Sequence, residues 1–295
     1  MPGRLGAHMS IAGGVSQAFD RGEQIGCEAM QIFTKNQNQW EAKPLEPAEI
    51  ERFQRRQRET GIEPVIAHDA YLINLASPDD ALWERSLQAF IDELVRAEML
   101  GLPGVVMHPG AHMGAGEEIG LDRIARALDR AHAATSGFRT QTLLEITAGQ
   151  GSSLGYTFEQ LAAIRNAVDD PSRVAICFDT AHALAAGYEY RTPEAYAAMW
   201  DHFDRVLGIE LVRCFHLNDS KKDLGSRVDR HTHIGQGFVG LEAFRMILND
   251  PRFDGLPMLL ETPKGADMKE DIENLRVLRS LIEDNGGRAR RAGDA

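Results

Sequence analysis

The chain has 295 residues, 43% of them hydrophobic and 26% charged, and a formal net charge of −12. That length buries a large core as one big domain or two small ones, and the composition is that of an ordinary globular protein. No apolar stretch is long enough to span a bilayer, the segment from Met1 to His8 lacks the apolar core of a signal peptide, and the negative charge argues mildly against a nucleic-acid partner, although three bound divalent cations would halve it.

In chain order, residues 4–8 read as a first strand and 28–34 as a second. Six more short apolar runs follow. They are P-V-I-A-H ending at His68, G-V-V-M-H at His108, T-L-L-E at Glu145, V-A-I-C-F-D at Asp179, L-V-R-C-F-H at His216 and P-M-L-L-E at Glu261. Each is too short for a helix and fits a parallel strand covered on both faces. Apolar residues at helical spacing predict helices over 15–25, 47–60, 82–100, 121–134, 158–168, 193–206, 241–248 and 269–284. The helix over 82–100 stops at Gly101 with Pro103 beyond. Eight strands alternating with helices in one domain, 1–284, predict an α/β fold, a (β/α)8 TIM barrel. The small basic tail 285–295 is expected to be disordered. The three cysteines cannot all pair. Cys177 and Cys214 fall inside expected strands and read as buried small hydrophobes of a reducing compartment, the cytoplasm.

The six strand ends decide between a closed barrel and an open doubly wound sheet. All six carry His, Asp or Glu, and a closed ring lets six C-terminal strand ends face one point, where barrels of this kind keep their active sites. Any one such residue alone is more often a hydrogen-bonded core group. Six in register are not. His182, Asp229 and His231 lie just beyond, which makes nine candidate ligands, too many for one zinc ion and suited to two or three. Five histidines and four carboxylates without cysteine favour catalytic zinc or manganese over a structural site. Clustered divalent ions suit displacement at phosphorus, because they activate water and stabilise a leaving alkoxide.

Several stretches carry a resemblance. They are F-T-K-N-Q at Phe33–Gln37, Y-L-I-N-L at Tyr71–Leu75, T-A-G-Q-G at Thr147–Gly151, D-T-A-H-A-L-A-A-G-Y at Asp179–Tyr188, H-L-N-D-S-K at His216–Lys221 and G-S-R-V-D-R-H at Gly225–His231. From Leu5 to about Glu283 the chain resembles the endonuclease IV family of apurinic/apyrimidinic (AP) endonucleases. The resemblance implies a TIM barrel with three zinc ions, manganese being an alternative at one site. It implies His68, His108 and Glu145 around one ion. It implies Glu145 as a bridge to a second, also held by Asp179, His216 and Glu261, and His182, Asp229 and His231 around the third. Glu145 and Glu261 are the expected catalytic carboxylates. The implied reaction is hydrolysis of the phosphodiester 5′ to an abasic site in double-stranded DNA, leaving a 3′-hydroxyl and a 5′-deoxyribose phosphate, together with trimming of blocked 3′ ends. The implied protein is a monomer of the bacterial cytosol with no membrane partner.

Tyr71 and Leu72 are expected to wedge into the duplex, and Asn36, Gln37, Arg227 and Arg230 to contact its backbone. Ser226, Lys35, Lys221 and Lys222 are further cations or polar groups near the phosphates. Asn38 stands where the family commonly has arginine. His8 and His233 are expected beside the site, while His132 and His202 are expected on the surface of helices. The alternative reading is a single-metal sugar isomerase or epimerase on a similar barrel, which would use Glu145, Asp179, His216 and Glu261 and leave five ligands without work.

Overall fold

The structure is a computed structural model that describes residues 2–283. The tail 285–295 and the end of the last expected helix at Asp284 lie outside the described residues. The chain runs β1 (Arg4–Met9), α1 (Gln17–Ile25), β2 (Ala29–Phe33), α2 (Pro47–Thr60), β3 (Val65–His68), α3 (Asp80–Leu100), β4 (Gly104–Met107), α4 (Glu117–Ala134) and β5 (Gln141–Glu145). It continues through α5 (Phe158–Ala167), β6 (Val174–Asp179), α6 (Thr180–Ala186), α7 (Pro193–Val206) and β7 (Val212–His216). After a two-residue pair, β8 (Asp219–Ser220) and β9 (His231–Thr232), come α8 (Leu241–Asn249), β10 (Pro257–Leu260) and α9 (Lys269–Ser280).

Eight of these strands close into a parallel barrel in the order β1-β10-β7-β6-β5-β4-β3-β2. The expected (β/α)8 architecture is therefore the observed one. Alternation along each strand divides its side chains between two sets. One set, Ala29, Ile66, Val106, Leu143, Ala175, Cys177, Cys214 and Leu259, forms a separate apolar cluster inside the ring. Two residues further along the same strands, on the same face, stand Gln31, His68, His108, Glu145, Asp179, His216 and Glu261. The barrel interior is thus apolar below and polar at the C-terminal mouth. The outward set packs against the helices. Phe178, Trp200, Phe215 and Phe253 lock β6, α7 and β7 together, with ring centroids 4.7–4.8 Å apart for Phe178–Trp200, Trp200–Phe253 and Phe215–Phe253.

Two local expectations need correction. α6 was not foreseen: its residues are all buried on Thr180–Ala185, so it has no amphipathic stripe to read. Its cap was visible, however, in Asp179, whose side chain accepts from the His182 backbone N–H at 2.7 Å. His132 is not a surface residue. It is buried between α4 and β5, with Nε2 2.9 Å from Thr142 Oγ1.

Burial, helped by the nearby Arg173, pushes the His132 ring down to about 4 from its ordinary 6.5. A depressed histidine pKa means that the unfolded chain binds the extra proton first. The neutral ring therefore contributes stability that is full above about pH 6.5 and lost as pH falls toward 4. His132→Gln is expected to flatten that part of the stability profile by up to about 3 kcal/mol between pH 7 and 4. Urea unfolding of both proteins across that range checks this, and parallel profiles would refute it.

Candidate metal centre

The mouth is organised around the buried carboxylate of Glu145. Its Oε2 lies 3.2 Å from His68 Nε2 and 3.3 Å from His108 Nε2. Its Oε1 lies 3.0 Å from His182 Nδ1 and 3.1 Å from His216 Nδ1. Glu261 Oε2 approaches the same His216 Nδ1 at 3.1 Å, and Asp179 Oδ2 stands 3.8 Å from it. On the far side of His182, Asp229 Oδ2 is 3.3 Å from Nε2, while Asp229 Oδ1 is 3.5 Å from His231 Nε2. All nine residues singled out from the sequence are therefore brought together. Besides Cys177, Cys214 and His216, three groups have ligand atoms within 4.8 Å of one another: His68, His108 and Glu145; Glu145, Asp179, His216 and Glu261; and Asp179, His182 and His231, the last with Asp179 where the resemblance implies Asp229.

Local folding explains the placement. β3, β5, β6 and β7 end on His68, Glu145, Asp179 and His216, whereas β4 and β10 end one residue before His108 and Glu261. Asp179 caps α6, so the first turn of that helix fixes His182 against the end of β6. The turn that follows Asp229 and His231 is held by Asp219, whose carboxylate accepts from the backbone N–H groups of Gly235, Gly237 and Val239 at 2.9–3.0 Å. Asn218 donates to Asp179 Oδ2 at 2.7 Å and accepts from the Glu261 backbone N–H at 2.8 Å. Neither Asn218 nor Asp219 was singled out from the sequence as a site residue, and the same is true of Gln31. Gln31 left the clearest signal, a polar side chain inside the apolar strand A-M-Q-I-F.

The electrostatics are those of a cation site. Burial alone would push the Glu145 carboxyl up, but His216 and His108 hold it well below the usual carboxylate range. Burial is likewise outweighed at Glu261, chiefly by His216. Burial lowers the His216 and His182 rings, yet Glu261 and Glu145 hold the first, and Asp179 and Asp229 the second, well above the ordinary histidine value. Asp229 is brought down to about 2 against its own burial, mainly by His182. These carboxylates and rings want positive charge between them, which protons or divalent ions can supply.

The donor set fits divalent metal. His182 Nε2 and His231 Nε2 are buried and make no hydrogen bond, although Asp229 oxygens stand at ion-pair distance. His68 Nδ1 and His182 Nδ1 reach the backbone carbonyls of Asp69 at 2.8 Å and Ile146 at 3.0 Å. A metal-binding histidine commonly uses its other nitrogen in this way. Cys177 and Cys214 also approach His216. Burial raises the Cys177 thiol well above its ordinary value, so it stays protonated and acts as the small hydrophobe expected of it.

Above the centre opens a cavity of about 580 Å³, whose rim includes Tyr71, Lys221 and Arg230. Tyr71 is 64% exposed and its ring sits 5.9 Å from that of His68. Leu72 and Gln37 are half-buried, and Asn36 and Arg227 are exposed. The Arg227 guanidinium carbon sits over the Tyr156 ring, 3.8 Å from its centroid. Asn36 and Gln37 stand outside the cavity lining. Lys35 is a correction: its ammonium is buried, 2.7 Å from Asp92 and 3.6 Å from Glu93, and it has no free face for a phosphate.

Residues 19–281 match the xylose isomerase-like TIM barrel family. A Chloroflexus aurantiacus protein named probable endonuclease 4 is 57% identical over 280 residues, covering 95% of this chain and 98% of its own. The chain belongs to the endonuclease IV family. A Geobacter sulfurreducens relative of the same name is 52% identical, with 94% of both chains covered. The crystal structure of endonuclease IV from Thermus thermophilus superposes with a TM-score of 0.83 at 39% identity, covering 94% of this chain and 98% of that one. A D-psicose 3-epimerase shares the barrel at a TM-score of 0.64, covering 94% of each chain, but is only 13% identical. That likeness extends to the fold and not to the activity. Endonuclease IV membership makes the chain a DNA-cleaving hydrolase, and it rejects the sugar isomerase alternative. No helix among the described residues is long and apolar enough to cross a membrane.

Proposed function

We infer that this endonuclease IV family member hydrolyses the phosphodiester 5′ to abasic sites in double-stranded DNA, in base-excision repair, and trims blocked 3′ ends. The observation that carries the reading is Glu145. Its Oε2 faces His68 and His108 and its Oε1 faces His216, so one buried carboxylate belongs to two candidate ligand groups at once. His68 and His108 would hold one ion with Glu145. Asp179, His216 and Glu261 would hold a second with it, and His182, Asp229 and His231 a third. Bound zinc would supply Lewis acidity toward water and the phosphate oxygens and would neutralise charge developing on the leaving 3′ oxygen.

The remaining residues do the positioning. Arg230 and Lys221 on the rim meet phosphate oxygens, and Arg227 does so from the neighbouring loop. Tyr71, held edge-on by Phe33 at 5.7 Å, presents its exposed face to the duplex together with Leu72, the next residue, an aromatic–apolar wedge that opens base steps. An abasic nucleotide has no base to unstack, which makes it the least costly one to extrude. Asn36 and Gln37 contact the backbone beside this wedge. Asn38, exposed and held to the Asn36 side chain at 3.0 Å, brings no cation to that loop.

The test is incubation of the purified protein with a duplex carrying one abasic analogue, together with metal analysis. The expected result is a nick 5′ to the analogue and about three zinc ions per chain. An intact duplex together with a metal ratio near one would overturn the reading.

A further inference from the structure

Gln31 is fully buried on β2, and every polar atom of its amide is used. Nε2 donates to Glu261 Oε1 at 2.6 Å and reaches His8 Nδ1 at 2.9 Å, while Oε1 lies 2.8 Å from His216 Nε2. The direction of the amide is forced. An ionised carboxylate only accepts, so the NH2 group must face Glu261 and the carbonyl oxygen must face His216. That oxygen also only accepts, so the His216 proton sits on Nε2. Nδ1 is then the nitrogen turned to Glu145 and Glu261, 3.1 Å from an oxygen of each. The second N–H of the amide makes His8 Nδ1 an acceptor. Glu261 Oε1 and His8 Nδ1 stand 3.7 Å apart, a spacing that one NH2 group spans with its two hydrogens.

We propose that Gln31 is a positioning residue of the metal centre, a relay that selects the tautomers of His216 and His8 and fixes Glu261, so that the group Glu145, Asp179, His216 and Glu261 offers His216 Nδ1 to a divalent cation. This rests on the reading of the mouth as a metal site. The physical logic is local. With the opposite tautomer His216 would point an N–H at the place where the cation must sit, and an untethered Glu261 would be free to leave it. Register supports the assignment, because Gln31 pairs with His8 across β1 and β2, so one amide reaches His216 at the end of β7 and Glu261 just past β10 from a fixed backbone position.

The test uses zinc itself as the probe. The full chain is titrated against a chromophoric chelator, and histidine-labelled protein is read by 15N NMR. Wild type is expected to show the Nε2–H signature at His216. Gln31→Met, which keeps length and loses every polar atom, is expected to fold, to bind one zinc about 10- to 100-fold more weakly, and to show mixed His216 tautomers. Gln31→Ala serves the same comparison if the methionine variant does not fold. Gln31→Glu keeps an acceptor for His216 and is expected to restore the Nε2–H signature. A folded Gln31→Met or Gln31→Ala protein that holds zinc as tightly as wild type, with His216 unchanged, would overturn the proposal and leave the metal centre standing. A wild-type chain that takes up no zinc would overturn both.

Discussion

Glu145→Gln is expected to give a folded protein that nicks an abasic duplex about a thousandfold or more slowly than wild type. The amide has the shape of the carboxylate and can still meet the rings of His68, His108, His182 and His216, which surround it at 3.0–3.3 Å. What it lacks is the charge and one of the two accepting oxygens. Asp229 stands beside only His182 and His231. Glu145 serves two candidate ligand groups, so its loss weakens cation binding in both at once. Single-turnover nicking at saturating substrate, paired with zinc counting, separates loss of metal from loss of chemistry. A variant within about tenfold of wild type would remove Glu145 from the centre of the mechanism.

Gly6→Ala is expected to have the largest effect on folding, with a loss of about 4 kcal/mol or more. A Cβ at Gly6 would lie 1.7 Å from the backbone oxygen of Ala29 and 2.7 Å from its carbonyl carbon. The obstacle is backbone, so no rotamer relieves it. β1 and β2 would have to part where Gly6 pairs with Ala29, which opens the closed ring and displaces His8 and Gln31 further along the same two strands. Against a typical domain stability of about 5–15 kcal/mol, such a change leaves little folded protein. Gly101→Ala is the control. It adopts a left-handed backbone at φ +76° with nothing within 4 Å of an added Cβ, and should cost only about 1 kcal/mol. Urea unfolding of both variants decides the matter. A Gly6→Ala protein as stable as Gly101→Ala would show that the strands yield easily.

The barrel and six of its nine candidate ligands were legible in the chain because both follow from local rules, and the other three, His182, Asp229 and His231, from motifs just beyond the strand ends. A short apolar run between turn residues predicts a strand. Strand alternation carries the residue that ends each run to the same face, and closure of the ring brings those faces to one mouth. His68, Glu145, Asp179 and His216 are strand-end residues by this rule, and His108 and Glu261 lie one step past it. α6 escaped because a helix buried on every side has no periodic stripe. Its one local sign was the cap at Asp179.

The sequence by itself therefore determined the candidate ligands at the mouth and the family they define, since composition, alternation and motif are properties of neighbours along the chain. Tertiary structure alone decided what each buried polar group is paired with. Lys35 looked like a phosphate contact until α3 supplied Asp92 and Glu93. His132 looked exposed until β5 supplied Thr142. Gln31 had no assigned role until β1, β7 and β10 surrounded it. A buried charge or amide takes its meaning from partners tens to hundreds of residues away, and only the closed fold brings those partners within hydrogen-bonding reach.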